Sequence, residues 1–532
     1  MKLWAGVISH RSKKGETMMK TKSQSLGRIG GILAAVVLCM ASRLGAQPRI
    51  DFNGDGYADL AVGVPHEDDG KTTDSGAINI IYGSAEGLTA VGNQFFTNNT
   101  PGVPNFVQKG AQFGKALAAG DFNGDGFTDL AVGVPFADNY FKKGGDVLIF
   151  YGGQKGLSGS KVKLVLWLNR LAIKSLFGSA LAAGDFDADG FDDIAIGAPD
   201  ASSNFDEAGQ GRGAVLVWYG GRFGMGRVQL WMQGMNGLRE RSEPRDQFGS
   251  ALAAADFNGD GKDDLAVGAP GEEGVNSFPI GAVSVLYGQA EKGLVAKGNQ
   301  VWTQISDGGG NRAEEGDLYG KILGSGDLDG DGCDELLVGA PGDDTLHIIY
   351  GRNKGLTSKK TQELYAPWPY YVIVSADFDD NGAEDLAIRK GSGAVGIYFG
   401  DSNGLQDSPR WYLNEYLMPG LNSSDDWQRR TAEVGYALAA DDFEGQGVFD
   451  LAVGMPLYNI PYKHNVLQIT GAGAVAVVRN IGIIQDPNPL SETPIIQWSP
   501  LLDFFEGNYP NTIHEIFGVA EPDDRFGEVF AH

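Results

Sequence analysis

Seven stretches of this chain place oxygen-bearing side chains at alternate positions of a short loop interrupted by glycine. The first runs Asp51, Asn53, Asp55 and Asp59, with Gly54 and Gly56 between them. Oxygen ligands at loop positions 1, 3, 5 and 9, joined by the backbone carbonyl of position 7, suit a hard divalent cation of calcium size. Glycine at positions 4 and 6 tolerates the positive φ that so tight a turn demands. Four further loops keep an oxygen side chain at every ligand position: Asp121, Asn123, Asp125 and Asp129; Asp185, Asp187, Asp189 and Asp193; Asp256, Asn258, Asp260 and Asp264; and Asp327, Asp329, Asp331 and Glu335. In these five the position-7 carbonyls belong to Tyr57, Phe127, Phe191, Lys262 and Cys333. The sixth loop, Asp377, Asp379, Asn381 and Asp385 with the carbonyl of Ala383, exchanges one carboxylate for an amide. In the seventh, Asp442, Glu444, Gln446 and Asp450, a long Glu and a Gln crowd the centre and leave metal binding open. The expectation is five or six bound Ca2+ ions. None of the loops is an EF-hand, because position 12 is apolar (Val62 in the first) and the chain continues as a strand.

A site filled by five or six protein oxygens leaves little room for a substrate, and Ca2+ activates water poorly, so the expected role of the ions is structural. The same carboxylates account for much of the formal net charge of −26, which six divalent ions would reduce to −14. With no basic stripe anywhere, nucleic acid is not an expected partner.

To hold such loops the chain must supply a repeated scaffold. The first loop positions, Asp51, Asp121, Asp185, Asp256, Asp327, Asp377 and Asp442, recur every 50 to 71 residues, enough for four strands per unit. Glycine makes up 80 of 532 residues without a collagen period, which signals many tight turns. An aromatic-Gly pair and a run of small residues precede the loop, as in Phe113-Gly114, Phe177-Gly178, Phe248-Gly249 and Tyr319-Gly320. An apolar run closing on glycine and often proline follows it, too short for a helix. Third strands are predicted at 77–82, 146–151, 214–219, 282–287, 346–350 and 394–399, each ending in an aromatic-Gly pair with a Gly-Leu turn or a close relative a few residues on. Fourth strands carry Phe95, Trp167, Trp231, Trp302, Tyr365, Trp411 and Trp498, read as packing between units.

Seven units of four antiparallel strands predict an all-β, seven-bladed β-propeller, because ring closure protects the two edges that an open stack would expose. Phe526-Gly527 and the residues after it match the first strand of a unit, whereas Asp51 begins a unit lacking one. The C-terminal strand is therefore expected to complete the first blade.

Residues 1–46 have the layout of a secretory signal to be removed: a basic region, a short apolar core from Ile29 to Ala41, and Ala46 at the expected cut, with Met18 or Met19 an alternative start. The apolar run is too short for a spanning helix, so no membrane span is expected in the mature chain. That chain, 47–532, is read as a single propeller with Cys333 its only cysteine, which excludes an intrachain disulfide.

These motifs together (Phe-Gly, then Asp-x-Asn/Asp-x-Asp-Gly-x-x-Asp, then Gly-Ala-Pro) resemble the FG-GAP repeat of the integrin α-subunit propeller, over about residues 47 to 532. The resemblance implies calcium in loops joining the first and second strands, on the face opposite the ligand surface. In plan it is closer to secreted bacterial FG-GAP proteins, and to a fungal lectin of the same architecture, than to a true integrin.

No nucleophile elbow, phosphate loop or zinc spacing accompanies the few histidines, so no catalytic residue is assigned; His66 and His347 read as incidental. Candidate ligand-face aromatics lie in the connections opposite the loops: Tyr140, Phe141, Trp368, Tyr370, Trp427 and Tyr458, with Phe278, Phe504 and Phe505 of the same kind. The leading functional expectation is a secreted, calcium-stabilised module that binds an extracellular protein or glycan in adhesion. The alternatives are a lectin or carbohydrate-active protein with pockets between blades, and a scaffold subunit of a surface complex.

Overall fold

A computed structural model describes residues 50–68, 72–104, 108–138, 144–165, 174–202, 210–222, 224, 226–274, 278–308, 313–366, 372–390, 393–413, 434–435, 437–455, 460–461, 468–469, 474–479, 481, 504–506, 515–516 and 529–530. Seven antiparallel sheets succeed one another along the chain and form a seven-bladed β-propeller. Blade 2 is typical: Ala116–Gly120, Asp129–Val134, Asp146–Phe150 and Lys163–Val165 pair in sequence order. Blades 3 to 6 repeat that order. The first strands of successive blades lie against one another and so line the centre of the ring.

Blade 1 supplies only three strands of its own, Leu60–Val64, Ala77–Tyr82 and Thr89–Thr97. Its innermost first strand is Val529–Phe530, whose Phe530 pairs with Val62 and Val529 with Gly63. This strand lies against the first strands of blades 2 and 7, so the C-terminal strand closes the ring as the Phe526-Gly527 pattern predicts. The third strands fall where expected, with Ala77–Tyr82 and Ala282–Tyr287 matching residue for residue.

Two expectations for aromatic residues need correction. Blade 7 pairs its third strand with Phe504–Glu506 and adds a parallel fifth strand, Glu515–Ile516. Phe504 and Phe505 are therefore strand residues, not loop aromatics. Trp231 and Trp302 are buried as inter-blade packing requires, but Tyr365 is 68% exposed. Leu346 pairs with Leu364 as Val283 pairs with Trp302, so the buried Leu364 takes the inter-blade place and Tyr365, one residue on, is left exposed. Trp167 and Trp498 lie outside the described residues.

The apolar core is divided into seven clusters, each drawn from two neighbouring blades. A single blade is one sheet thick and cannot bury either face alone, which explains why second strands such as Asp129–Val134 and Asp264–Ala269 are buried along their whole length. The seam between blades 7 and 1 has its own cluster, with Leu60, Val62 and Val64 against Ala437, Ala439, Phe443 and Val475. Loop position 2 feeds every seam. Phe52, Phe122, Phe186, Phe257, Leu328, Phe378 and Phe443 are all fully or almost fully buried, each contributing about 1.5–3 kcal/mol.

Polar clasps reinforce the seams. The tyrosine ending a third strand hydrogen-bonds a glutamine of its own fourth strand, as in Tyr82–Gln94, Tyr219–Gln229, Tyr287–Gln300 and Tyr350–Gln362. The pair reaches the Gly-Leu turn of the next blade. Leu294 N donates to Tyr219 Oη at 2.9 Å, and Gln300 Nε2 donates to Leu356 O at 2.9 Å. The Tyr-Gly and Gly-Leu signals were visible in the sequence; the glutamine between them was not, because nothing but the fold brings it to the turn.

Side chains at loop position 7 interlock neighbouring loops. A Cβ on Gly54 would lie 2.5 Å from Phe127 Cε1, whereas one on Gly56 would meet nothing within 4 Å, although both residues have positive φ. Gly56→Ala is expected to lose about 1–2 kcal/mol from the left-handed backbone alone, and Gly54→Ala measurably more, as read by denaturant unfolding. Equal losses would show that Phe127 does not pack on the first loop.

Candidate functional site

The seven loops share one backbone wrap, built on the carboxylate of position 1. Asp51 Oδ1 accepts from Gly54 N at 2.6 Å and Asp55 N at 3.2 Å, and Oδ2 accepts from Gly56 N at 2.9 Å. Asp121, Asp185, Asp256, Asp327 and Asp377 accept equivalent bonds, and so does Asp442 of the seventh loop. Aspartate is needed here because its short side chain reaches the N–H groups of its own turn.

Position 9 is the buried anchor. Asp193 Oδ2 accepts from Phe186 N at 3.0 Å and Oδ1 from Gly220 N at 2.8 Å, tying the loop to the end of the third strand. Asp59, Glu335 and Asp385 do the same with Phe52 and Gly83, Leu328 and Gly351, and Phe378 and Gly400. Asp129 and Asp264 hold Gly152 and Gly288. The aromatic-Gly glycine is thus the donor that position 9 requires. Burial pushes the Asp59, Asp129, Asp193, Asp264 and Asp385 carboxyls up to about 8 and Glu335 up to about 9, with neighbouring carboxylates of the same loop adding to the rise.

Position 3 faces these two. Carboxylate oxygens of Asp185, Asp187 and Asp193 lie within 4.8 Å of one another, as do those of Asp327, Asp329 and Glu335, and of Asp377, Asp379 and Asp385. In the first, second and fourth loops position 3 is an asparagine. Asn123 and Asn258 turn Nδ2 onto Asp129 and Asp264, and Asn53 bonds Asp55. In the third and fifth loops one oxygen of the position-3 acid is held by a basic side chain: Asp187 Oδ2 by Arg227 at 2.9 Å, and Asp329 Oδ2 by Arg352 at 3.0 Å and Lys360 at 2.7 Å. The other oxygen, Oδ1 of Asp187, Asp329 and Asp379, is buried with no hydrogen-bond partner among the described residues. A buried carboxylate oxygen without a donor is costly unless a cation faces it, so this donor set fits a hard divalent ion. The basic partners escaped the sequence reading because they come from or just before the fourth strand, or just after the third, far from the loop in the chain.

Position 5 is peripheral. Asp55, Asp125, Asp189, Asp331 and Asn381 accept the N–H of position 7, while Asp260 pairs with Lys262 Nζ at 2.8 Å. Lys262 thus turns its ammonium back onto its own loop, whereas the side chains of Tyr57, Phe127, Phe191 and Cys333 meet the preceding loop, across Gly445, Gly54, Gly124 and Gly259.

Position 8, unremarked in the sequence, links the loops. Asp121 N donates to Asp192 Oδ2 at 2.7 Å while Asp192 N donates to Asp121 O at 3.1 Å. Asp263 and Asp334 clasp Asp185 and Asp256 in the same two-bond manner, and Thr128 clasps Asp51.

His347, read as incidental, is buried with Nδ1 3.0 Å from Asp307 Oδ2 and 3.7 Å from Glu363 Oε1, its ring edge-on to Tyr319. His66 pairs with Asp74 at 2.7 Å. The six ligand-face candidates, Tyr140, Phe141, Trp368, Tyr370, Trp427 and Tyr458, lie outside the described residues. Phe278 is described and 47% exposed. No helix among the described residues is long and apolar enough to cross a membrane.

Residues 50–80, 113–150, 177–218 and 248–286 match the FG-GAP repeat family, and 327–388 match the FG-GAP-like repeat. Among curated proteins, integrin alpha-5 of Xenopus laevis is 33% identical over 247 residues, which is 45% of this chain and 21% of that protein. The chain is an integrin-α-like FG-GAP repeat protein. Phosphatidylinositol-glycan-specific phospholipase D of Rattus norvegicus is 34% identical over 183 residues, 34% of this chain and 20% of the enzyme. The Homo sapiens enzyme is 30% identical over 311 residues, 56% of this chain and 35% of the enzyme. The FG-GAP chain therefore spans between about a fifth and a third of these relatives.

The raised position-9 carboxyls fix the sign of a pH effect. Their ordinary value is 3.8 for aspartate, so without metal the folded chain binds more protons than the unfolded one from about pH 4 to about pH 8. The stability the neutral acids contribute is fully present below the ordinary value and is lost as pH rises through about 8. In chelator the protein is expected to melt at a higher temperature at pH 5 than at pH 8, by differential scanning fluorimetry. A higher melt at pH 8 would contradict the burial of these groups.

Proposed function

We propose that this protein is an exported β-propeller in which residues 1–46 direct secretion and calcium ions in the first six loops stiffen a module that binds an extracellular protein or glycan. Calcium would be held by the side chains of positions 1, 3, 5 and 9 and by the carbonyls of Tyr57, Phe127, Phe191, Lys262, Cys333 and Ala383. The observation that carries this reading is the buried, unpartnered Oδ1 of Asp187, Asp329 and Asp379 beside two further carboxylates of the same loop. Once bound, the ion supplies positive charge to carboxyls that burial otherwise drives toward protonation.

The chain's own residues do the rest. The carboxylate of position 1 winds the loop and that of position 9 fastens it to the third strand. Position 8 hands the tension to the next blade. A rigid ring of this kind presents the loops of the opposite face in fixed relation, the arrangement a macromolecular binding surface needs. The integrin α relatives support binding as the role, and the match to the phospholipase covers too little of that enzyme to carry its activity to this chain.

For extracellular modules with Kd of about 10⁻⁴ to 10⁻³ M, millimolar calcium contributes roughly 0.4 to 1.4 kcal/mol per site. Chelation is therefore expected to lower the melting temperature, with calcium but not sodium restoring it; an unchanged melt in chelator would sink the calcium reading. Asp193→Asn should cost one calcium equivalent in equilibrium dialysis. Glycan-array screening beside capture of surface proteins, each with and without chelator, tests the binding role, and failure of both arms would favour a scaffold subunit.

A further inference from the structure

The seventh loop keeps the wrap of the other six but not their open centre. Asp442 accepts from Gln446 N at 2.9 Å and from Gly447 N, and Asp450 at position 9 is buried. At position 3, however, both oxygens of Glu444 are used. Oε1 pairs with Arg479 Nη1, and Oε2 accepts from Gln446 Nε2 at 2.7 Å. The contrast with Asp187 and Asp329 is direct, because each of those keeps a buried oxygen with no partner among the described residues.

Arg479 has a second engagement. In the sheet register Val478 pairs with Leu451 as Trp218 pairs with Ile194, so Arg479 stands where blade 3 has Tyr219. That tyrosine caps the Gly-Leu turn of the following blade, and Arg479 does likewise across the closing seam. Its Nη2 donates to Glu86 O at 2.7 Å and lies where a Cβ on Gly87 would fall. The side chains of Arg479 and Glu444 are only 12% and 9% exposed, so the pair is shielded from water.

We propose that the guanidinium of Arg479 is the built-in cation of the seventh loop, so that this loop takes no divalent ion and the seam between blades 7 and 1 stays closed without metal. A guanidinium is always charged and its planar fork can meet a carboxylate and a carbonyl at once, which a bound ion at the loop centre could not do across two blades. The ion count rests on the calcium reading of the other loops; the metal-independent seam does not.

The test uses the full chain, with calcium alone as the probe. Native protein and Glu444→Gln are expected to bind the same number of calcium equivalents in equilibrium dialysis, whereas Asp193→Asn loses one. Loss of one equivalent in Glu444→Gln would overturn the proposal. In chelator, Arg479→Gln and Glu444→Gln should each lower the melt, and the double variant should melt no lower than Arg479→Gln alone. Additive losses would overturn the pairing. If the native chain binds no calcium, the calcium reading falls while the chelator cycle still decides the seam. Should Arg479→Gln fail to fold, Arg479→Lys, which keeps the charge but not the fork, replaces it in the cycle, and the Glu444→Gln calcium count stands independently.

Discussion

Everything in this ring depends on the seam between consecutive blades. One sheet cannot bury its own faces, so each apolar cluster is shared, and the loops obey the same rule. The position-1 backbone of one loop is completed by the position-8 side chain of the next, and the Gly-Leu turn of one blade by the tyrosine and glutamine of its predecessor. Apolar packing, backbone hydrogen bonding and the acidic loops are thus coupled through one contact repeated around the ring. Stability in such a repeat is a sum over neighbours, and the closing neighbour decides whether the sum is a ring or a strip.

The acidic loops concentrate charge where the structure can least afford to leave it unanswered. Position 9 is buried to bring two N–H donors to it, and the cost is a carboxyl raised to about 8 or 9. Position 3 is answered in two ways. Asparagine lowers the charge in the first, second and fourth loops, while in the third and fifth a carboxylate is kept and an arginine is placed against it. Both devices moderate repulsion among the acids without removing the oxygen atoms that a cation would need.

This symmetry of purpose breaks at two places, both near the closure. Blade 1 takes its first strand from the chain end, and the seventh loop fills its centre with protein groups. A ring has to be joined once, and at the join the usual tyrosine clasp gives way to arginine.

Much of this was legible in the residues. Periodic Asp and Gly placed all seven loops, β-branched and aromatic runs placed the third strands, and the split repeat at the two chain ends announced ring closure. Those signals are local, and local chemistry such as a turn needing positive φ or a strand needing alternation is written in neighbouring residues. Tyr365 was read as buried because an aromatic looks the same in sequence whether a neighbouring blade covers it or not, and the register gives that place to Leu364. Only the tertiary structure could show that Asp192 serves Asp121, that Arg227 and Arg352 reach position 3, and that Arg479 stands in a tyrosine's place to meet Glu444 and Glu86. Each of these joins groups that are distant in the chain and adjacent only once seven sheets have closed around one axis. Sequence spacing determined which atoms could bind a cation; the seams decided which of those atoms are left free to do so.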